Sequence, residues 1–324
     1  MRNDRRLTLL ALATAGLLWG TTIPLTKVAL AGVGPGWLTV VRFTLAALPI
    51  AIIARHKLRA AISPRVVAWG IIGYGGVLTL QNAGIARTSV SHAALIVGAV
   101  PVLVALMGLA TGRGVTGAGN WAGLAISLLG IGVIAGHGGG EATLTGDALV
   151  GASAVLSAAF LVAQPKLLAG RSPLAVTGVQ FAAGAVAVLP MALAGGAPPV
   201  PGMMPAVATL ILTFAGTLAP FALFAYGQSR VSPSAAGAFL NLEPLVGFLI
   251  GVALFGDAFG SAQAAGGIAV LAGIALTSVS LFGVARPARP ARRTAVRQPE
   301  LHVEAGMLAA DAGHPVLEPS VGVR

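Results

Sequence analysis

Cysteine is absent from this 324-residue chain, which excludes a disulfide framework, a thiolate metal site and a cysteine nucleophile. Charge is scarce: 9% of residues are charged, against about 25% in soluble domains, while 56% are hydrophobic and mean hydropathy is +0.90. That balance excludes a water-soluble monomer. Acidic residues are the scarcest, nine against twenty Lys and Arg, for a net charge of +11. In a soluble protein such an excess points to nucleic acid, so the location of the basic residues decides its meaning. A Walker A sequence is missing too, so this chain alone hydrolyses no ATP. What the chain does have is glycine and proline, 45 and 20, many of them inside long apolar runs, where membrane helices tolerate them.

A helix crosses a hydrocarbon core of about 30 Å with roughly 20 apolar residues, and ten such runs follow one another. They are Leu7 to Ala31, Trp37 to Ala54, Val66 to Ala86, Ser91 to Thr111, Val115 to Gly136, Ala148 to Pro165, Pro173 to Leu193, Pro205 to Gln228, Pro233 to Gly256 and Ala258 to Ala285. The first continues past any export cleavage point, so it is read as a span. With the N-terminus in the cytoplasm, every Lys and Arg except Lys27, Arg42 and Arg87 falls on the cytoplasmic side, as the positive-inside bias demands. The basic residues therefore address membrane edges and anionic lipid headgroups, and nucleic acid is excluded as a partner. Both termini are expected in the cytoplasm and the location is the plasma (inner) membrane.

The chain also repeats itself. Gly84 to Ala110 aligns with Gly227 to Ala253 at a constant offset of 143, with nine of 27 positions identical, among them Arg87 with Arg230, Pro101 with Pro244 and Gly108 with Gly251. Gly123 and Gly130 continue the register to Gly266 and Gly273; with a slip of four or five residues, Lys27 meets Lys166 and Arg42 meets Gln180. Two units of five helices follow, and because five is odd the second enters the bilayer inverted, an architecture of secondary transporters. The expected fold is all-α and integral to the membrane, ten transmembrane helices as two inverted five-helix repeats. Its parts are a cytoplasmic N-terminus (1–6), a first repeat (7–136), an external loop (137–147), a second repeat (148–285) and a basic, disordered cytoplasmic tail (286–324).

Trp19-Gly20 followed by Pro24 and Lys27, then Arg42, then Ser89, Ser91, Ala94 and Pro101, resemble the ten-helix EamA branch of the drug/metabolite transporter superfamily. So do Ser232, Ser234, Leu242-Glu243-Pro244, Gly251 and Phe255-Gly256-Asp257 in the second half. Asp257 stands where that family commonly has Glu, and Thr111-Gly112-Arg113 occupies the corresponding place in the first half. The resemblance implies export or exchange of small metabolites or drugs along a path between the halves.

Glu243 is the sharpest candidate, because an ionisable group inside an apolar run faces a polar interior or a partner. It is either a proton- or substrate-coupling carboxylate or a fixed structural pair, and its counterpart in the first half is Val100. Arg42 either binds an anionic group, pairs with Glu243, or snorkels to the interface. Tyr74, Gln81, Asn82 and Asn241 are placed along the solute path, with hydrogen bonding between helices as the alternative for each amide. Trp19, Phe221, Phe224 and Tyr226 are read either as surfaces on which an aromatic or apolar solute stacks or as membrane packing and interfacial residues, Trp19 having the best claim to the first. Lys27 is read as an interfacial anchor, with a pathway role as the alternative, and His92 as an interface residue, with a proton relay as the alternative. Pro24, Pro101 and Pro244 each lack an N–H and free a carbonyl four residues earlier, marking kinks or gating points. Gly112 to Gly117 and His137 to Gly140 imitate soluble-enzyme motifs but lack the strand or nucleophile elbow those require, and are read as loops.

The expected function is secondary-active transport of a small solute by alternating access. The expectation includes no catalytic residue, metal or cofactor; protons, membrane lipids and a second copy of the chain are further candidate partners. The alternatives are a lipid or lipid-linked-sugar flippase and an intramembrane lipid-modifying enzyme, the latter without a supporting nucleophile–base pair. Because the chain has no cysteine, single introduced thiols test the topology directly. Glu141→Cys and Pro199→Cys are expected to react with an impermeant maleimide on intact cells, and Arg59→Cys and Arg171→Cys only after permeabilisation.

Overall fold

The computed structural model describes residues 2–110, 118–136, 142–197, 200–228, 230 and 239–284, and for some of these, Asn241 among them, the backbone alone. The Gly112 to Gly117 and His137 to Gly140 loops, Ser232, Ser234 and the 286–324 tail lie outside the described residues. Among the described residues there is helix and no strand. Five stretches of the described residues are long and apolar enough to cross a membrane: Arg6–Leu30, Pro35–Ile53, Leu144–Leu168, Pro173–Ala194 and Met203–Phe224. Shorter apolar helices stand at Val90–Val104, Trp121–Gly130, Leu242–Phe255 and Ser261–Gly273. The outer surface is greasy, with Leu10, Ile52, Ile53, Leu129, Val186, Leu254 and Ile268 exposed. Such a surface is at ease only in lipid.

Several of these helices are interrupted. Helix α1 (Arg2–Gly20) gives way at Thr21 to α2 (Thr22–Leu30), because Pro24 has no N–H to offer the Gly20 carbonyl. The hydroxyls of Thr21 and Thr22 donate to the carbonyls of Leu18 and Trp19, both at 2.7 Å. Helix α3 (Pro35–Ile53) opens with proline in its first turn, where a missing N–H costs nothing. After the short α4 (Leu58–Ala61), α5 (Pro64–Gly70) is capped by the Ser63 side chain on the Val66 N–H. It runs into a π-helical segment, Ile71–Gly76, and then α6 (Val77–Ile85). Helices α7 (Val90–Gly98) and α8 (Val100–Ala110) part at Ala99, just ahead of Pro101.

The second half answers in kind. After α9 (Ala118–Gly136), α10 (Leu144–Leu168) and α11 (Pro173–Ala194), helix α12 (Met203–Thr213) enters a π-helical segment at Phe214–Leu218 and continues as α13 (Ala219–Gln228). The two π segments begin 143 residues apart, the register of the sequence repeat. A 3-10 turn, Phe239–Asn241, leads into α14 (Leu242–Phe255), so Glu243 and Pro244 fall in a first helical turn. Within the run expected at Pro233 to Gly256, the described α-helix begins only at Leu242. The last described helix is α15 (Ser261–Val284).

The helices pair in corresponding sets: α3 with α11, α7 with α14, α9 with α15, and α6 with α10 as α13 with α1. In three of these sets a helix packs on its own counterpart, and the contacts run in opposite directions along the two. Gly36 meets Ala192 while Gly178 meets Ile50; Gly247 meets Ala94 while Gly251 meets Ser91. On α9 and α15 the contact is reciprocal. A β-carbon added at Gly130 would lie 2.6 Å from the Gly266 carbonyl oxygen, and one at Gly273 would strike the Gly123 carbonyl oxygen. Glycine at these positions permits backbone-to-backbone approach. Gly130→Ala and Gly273→Ala are each expected to lower stability by about 1–3 kcal/mol. Gly132→Ala, which faces open space, is expected to stay within about 0.5 kcal/mol. Thermal unfolding of the detergent-purified protein measures all three.

Candidate functional site

The two π segments meet two neighbouring residues of α3, Thr217 reaching Arg42 and Tyr74 packing on Phe43. A π turn places one extra residue in the helical ladder and re-aims the residues beside it. Thr217 therefore donates its Oγ1 to the Leu212 carbonyl five residues back, at 2.9 Å, while accepting from Arg42 Nε across the bundle, at 2.9 Å. Arg42, in the middle of α3, is only 8% exposed and its guanidinium lies 5.5 Å from the centre of the Phe43 ring. Tyr74, inside the other π segment, packs edge-on against Phe43, Phe160 and Phe181 with centroids 4.6–5.3 Å apart. Gly73 makes room for the Phe160 ring, which a β-carbon would strike. Arg42 thus lies against the Phe43 ring in an aromatic neighbourhood. Among the described residues no ion pair joins it to Glu243, and none is made by either residue.

The aromatic lining continues along α13. Phe181 and Phe221 lie 6.5 Å apart, and Phe221 and Phe224 both pack on Trp19 at 5.3 Å. The structure therefore gathers Arg42, Tyr74 and Trp19 along one connected row of rings. Tyr226 turns away from it, under the guanidinium of Arg230 at 3.7 Å. Glu243 begins α14 alongside α1, its backbone carbonyl 3.0 Å from where a Gly20 β-carbon would be. Its side chain is half-buried, with no hydrogen bond among the described residues.

The amides divide. Asn82 is buried and clamps α6 to α3, its Nδ2 donating to Thr39 Oγ1 at 3.0 Å and to the Pro35 carbonyl at 3.4 Å. Gln81 is half-buried beside it and makes no side-chain hydrogen bond among the described residues. Gln180, the counterpart of Arg42, is fully buried and exchanges two 3.0 Å hydrogen bonds with Gln164. The Asn241 side chain lies outside the described residues. Pro24, Pro101 and Pro244 all stand within three residues of the start of a helical segment, directly after a break.

A second polar cluster escaped the sequence reading. Asp147, in the first turn of α10, accepts from the Thr88 hydroxyl through Oδ1, and its Oδ2 lies 3.0 Å from His92 Nδ1. All three side chains are buried, so His92 is no interface residue. Lys27 is not free in the interface either: its Nζ donates to the carbonyls of Ile85 and Thr88 at 3.2 and 2.8 Å, a cation on a helix C-terminus. Asp257 takes the Ser91 N–H at 2.6 Å, so this acid caps the start of α7. These contacts span 55 to 166 residues, and no local spacing announces them. Thr217 was findable, since it is Tyr74 displaced by 143.

Among the described residues no three His, Asp or Glu side chains converge to hold a metal ion. A cleft of about 240 Å³ between α3 and α12, walled by Trp37, Val41, Leu45, Thr209 and Leu210 among others, contains no charged group and does not open on Arg42. Asp147→Ala strands the Thr88 hydroxyl and the His92 ring, and is expected to cost about 3 kcal/mol. Gln81→Leu is expected to change stability by less than about 0.5 kcal/mol. Denaturation of the two variants in the same detergent measures the difference.

A family model described as the EamA-like transporter family matches residues 6–136 and 144–279. A protein of Streptantibioticus cattleyicolor described as a probable terminal-alkyne amino-acid exporter is 28% identical over 298 residues, covering 87% of this chain and 97% of that one. An uncharacterized transporter of Archaeoglobus fulgidus is 26% identical over 281 residues, covering 83% and 96%. A solved crystal structure at 22% identity superposes with a TM-score of 0.60 over 84% of this chain and 96% of its own, a likeness of fold.

Proposed function

This chain belongs to the EamA-like transporter family, and from that premise we propose that it moves a small organic solute across the plasma membrane by alternating access, as an exporter or exchanger. It is a multi-pass membrane transporter; the mechanism, the solute and the sidedness are our reading. Two five-helix halves, residues 7–136 and 148–285, lie in opposite senses in the bilayer, with both termini cytoplasmic. The observation that carries this is the antiparallel packing of α3 on α11, α7 on α14 and α9 on α15, each helix on its own counterpart. Halves of related sequence exchange conformations at small free-energy cost, and a site between them is offered first to one side and then to the other.

The solute path follows Trp19, Tyr74, Arg42, Phe221 and Thr217, with Gln81 at its margin. Glu243 is the coupling group: a half-buried carboxyl without a partner among the described residues can bind a proton in one state and release it in the other. Asn82 serves the path indirectly, by fixing α6 on α3. The breaks before Pro24, Pro101 and Pro244 supply the bending points. The relative described as an amino-acid exporter favours a solute of amino-acid size. No step requires a covalent intermediate.

Proteoliposomes preloaded with unlabelled L-phenylalanine are expected to take up labelled L-phenylalanine transiently, and faster when a pH gradient is imposed. Glu243→Gln is expected to remove the pH-driven component and leave the exchange. An undiminished response to the gradient would take Glu243 out of the coupling mechanism.

A further inference from the structure

Arg42 is a buried cation without an anion among the described residues. Its counterpart in the other half, Gln180, is neutral and fully satisfied by Gln164, so packing at this depth does not call for a charge. The guanidinium has five N–H donors, and Thr217 engages the one on Nε. No other hydrogen bond to Arg42 is made by a described residue, yet no buried nitrogen of a described side chain is both sealed from solvent and unpartnered. The two terminal nitrogens therefore open onto accessible space. Thr217 and the Phe43 ring hold the plane of the group in place, leaving its outer edge, with two parallel N–H bonds, as the free face.

We propose that this edge is the receptor for the carboxylate of the transported solute, which is a monocarboxylate with an aromatic or apolar body. The proposal rests on the carrier reading above. A planar fork of two N–H donors matches a carboxylate's two oxygens. One buried positive charge is neutralised by one negative charge; a phosphate dianion would leave a charge of its own in an apolar place. A second cation to share such a load is not offered nearby, since Lys27 is spent on the carbonyls that end α6. Beyond the fork, Phe221 stands one helical turn after Thr217 and joins Phe181 to Trp19 and Phe224. The body of the solute lies against those rings, burying apolar surface and stacking edges on faces. An anion seated at Arg42 is linked to one π segment through Thr217 and to the other through Phe43 and Tyr74, one segment from each half, so occupancy is felt by both.

The test uses the detergent-purified full chain and four probes of one shape: 3-phenylpropionate, L-phenylalanine, 3-phenylpropionamide and 3-phenylpropylamine. Calorimetric titration is expected to show saturable binding of the two carboxylates, with the amide and the amine at least tenfold weaker. Arg42→Gln, which installs the residue the other half already tolerates at position 180, is expected to weaken both carboxylates at least tenfold and leave the amide unchanged. Arg42→Lys, which keeps the charge and loses the fork, is expected to fall between. Thr217→Val, which frees the guanidinium plane while keeping Arg42, is expected to weaken carboxylates severalfold and guards against a folding defect in the first variant. Equal binding of amide and carboxylate, Arg42→Gln binding carboxylates as wild type does, or no binding of any probe would each overturn the assignment. Carboxylate binding without L-phenylalanine exchange in proteoliposomes would instead sink the carrier reading and leave the receptor standing.

Discussion

A peptide group in hydrocarbon has no water to turn to, so each place where a helix departs from its ladder must be met by another part of the protein. The architecture of this chain is a catalogue of such departures and what meets them. Thr21 and Thr22 hydroxyls take carbonyls beside the break in the first span. Thr217 takes the Leu212 carbonyl within its π segment. Lys27 covers the carbonyls at the end of α6, Thr143 covers that of Arg87, and Asp257 takes an N–H at the head of α7. Many of the polar side chains among the described residues are engaged in this work.

The apolar runs and the 143-residue register were legible in the sequence because both are properties of many residues at once. The family followed from short signatures. The π segments were not legible: prolines flag lost N–H groups, but Ile71–Gly76 contains none, and a π turn is decided by what packs on either side, here Gly73 under Phe160 and Gly75 against Gly184. Asn82 looked equivalent to Gln81 and proved to be a clamp, since only the position of Thr39 distinguishes them. The Asp147–His92–Thr88 cluster joins residues up to 59 apart and follows from the tertiary fold alone.

Charge has been kept uneven between the related halves. Arg42 corresponds to Gln180 and Glu243 to Val100, so each strongly polar group occurs once. Coulomb repulsion gives a reason: a second guanidinium at the matching depth would repel the first in a medium that screens charge far less than water. The amide pair of Gln164 and Gln180 keeps the depth polar without that repulsion. Duplicated scaffold and unduplicated chemistry therefore coexist in one chain.

The glycine contacts between α9 and α15 bear on how the bundle can deform. Interlocked side chains make a joint that must be prised apart before it shifts, whereas bare backbone at Gly123, Gly130, Gly266 and Gly273 offers few teeth to disengage. Ser127, whose hydroxyl reaches the Val270 carbonyl at 3.3 Å, is a catch that a short axial slip would release. A seam of this kind works as a bearing: it keeps two helices in close company while allowing small shear displacements of one along the other.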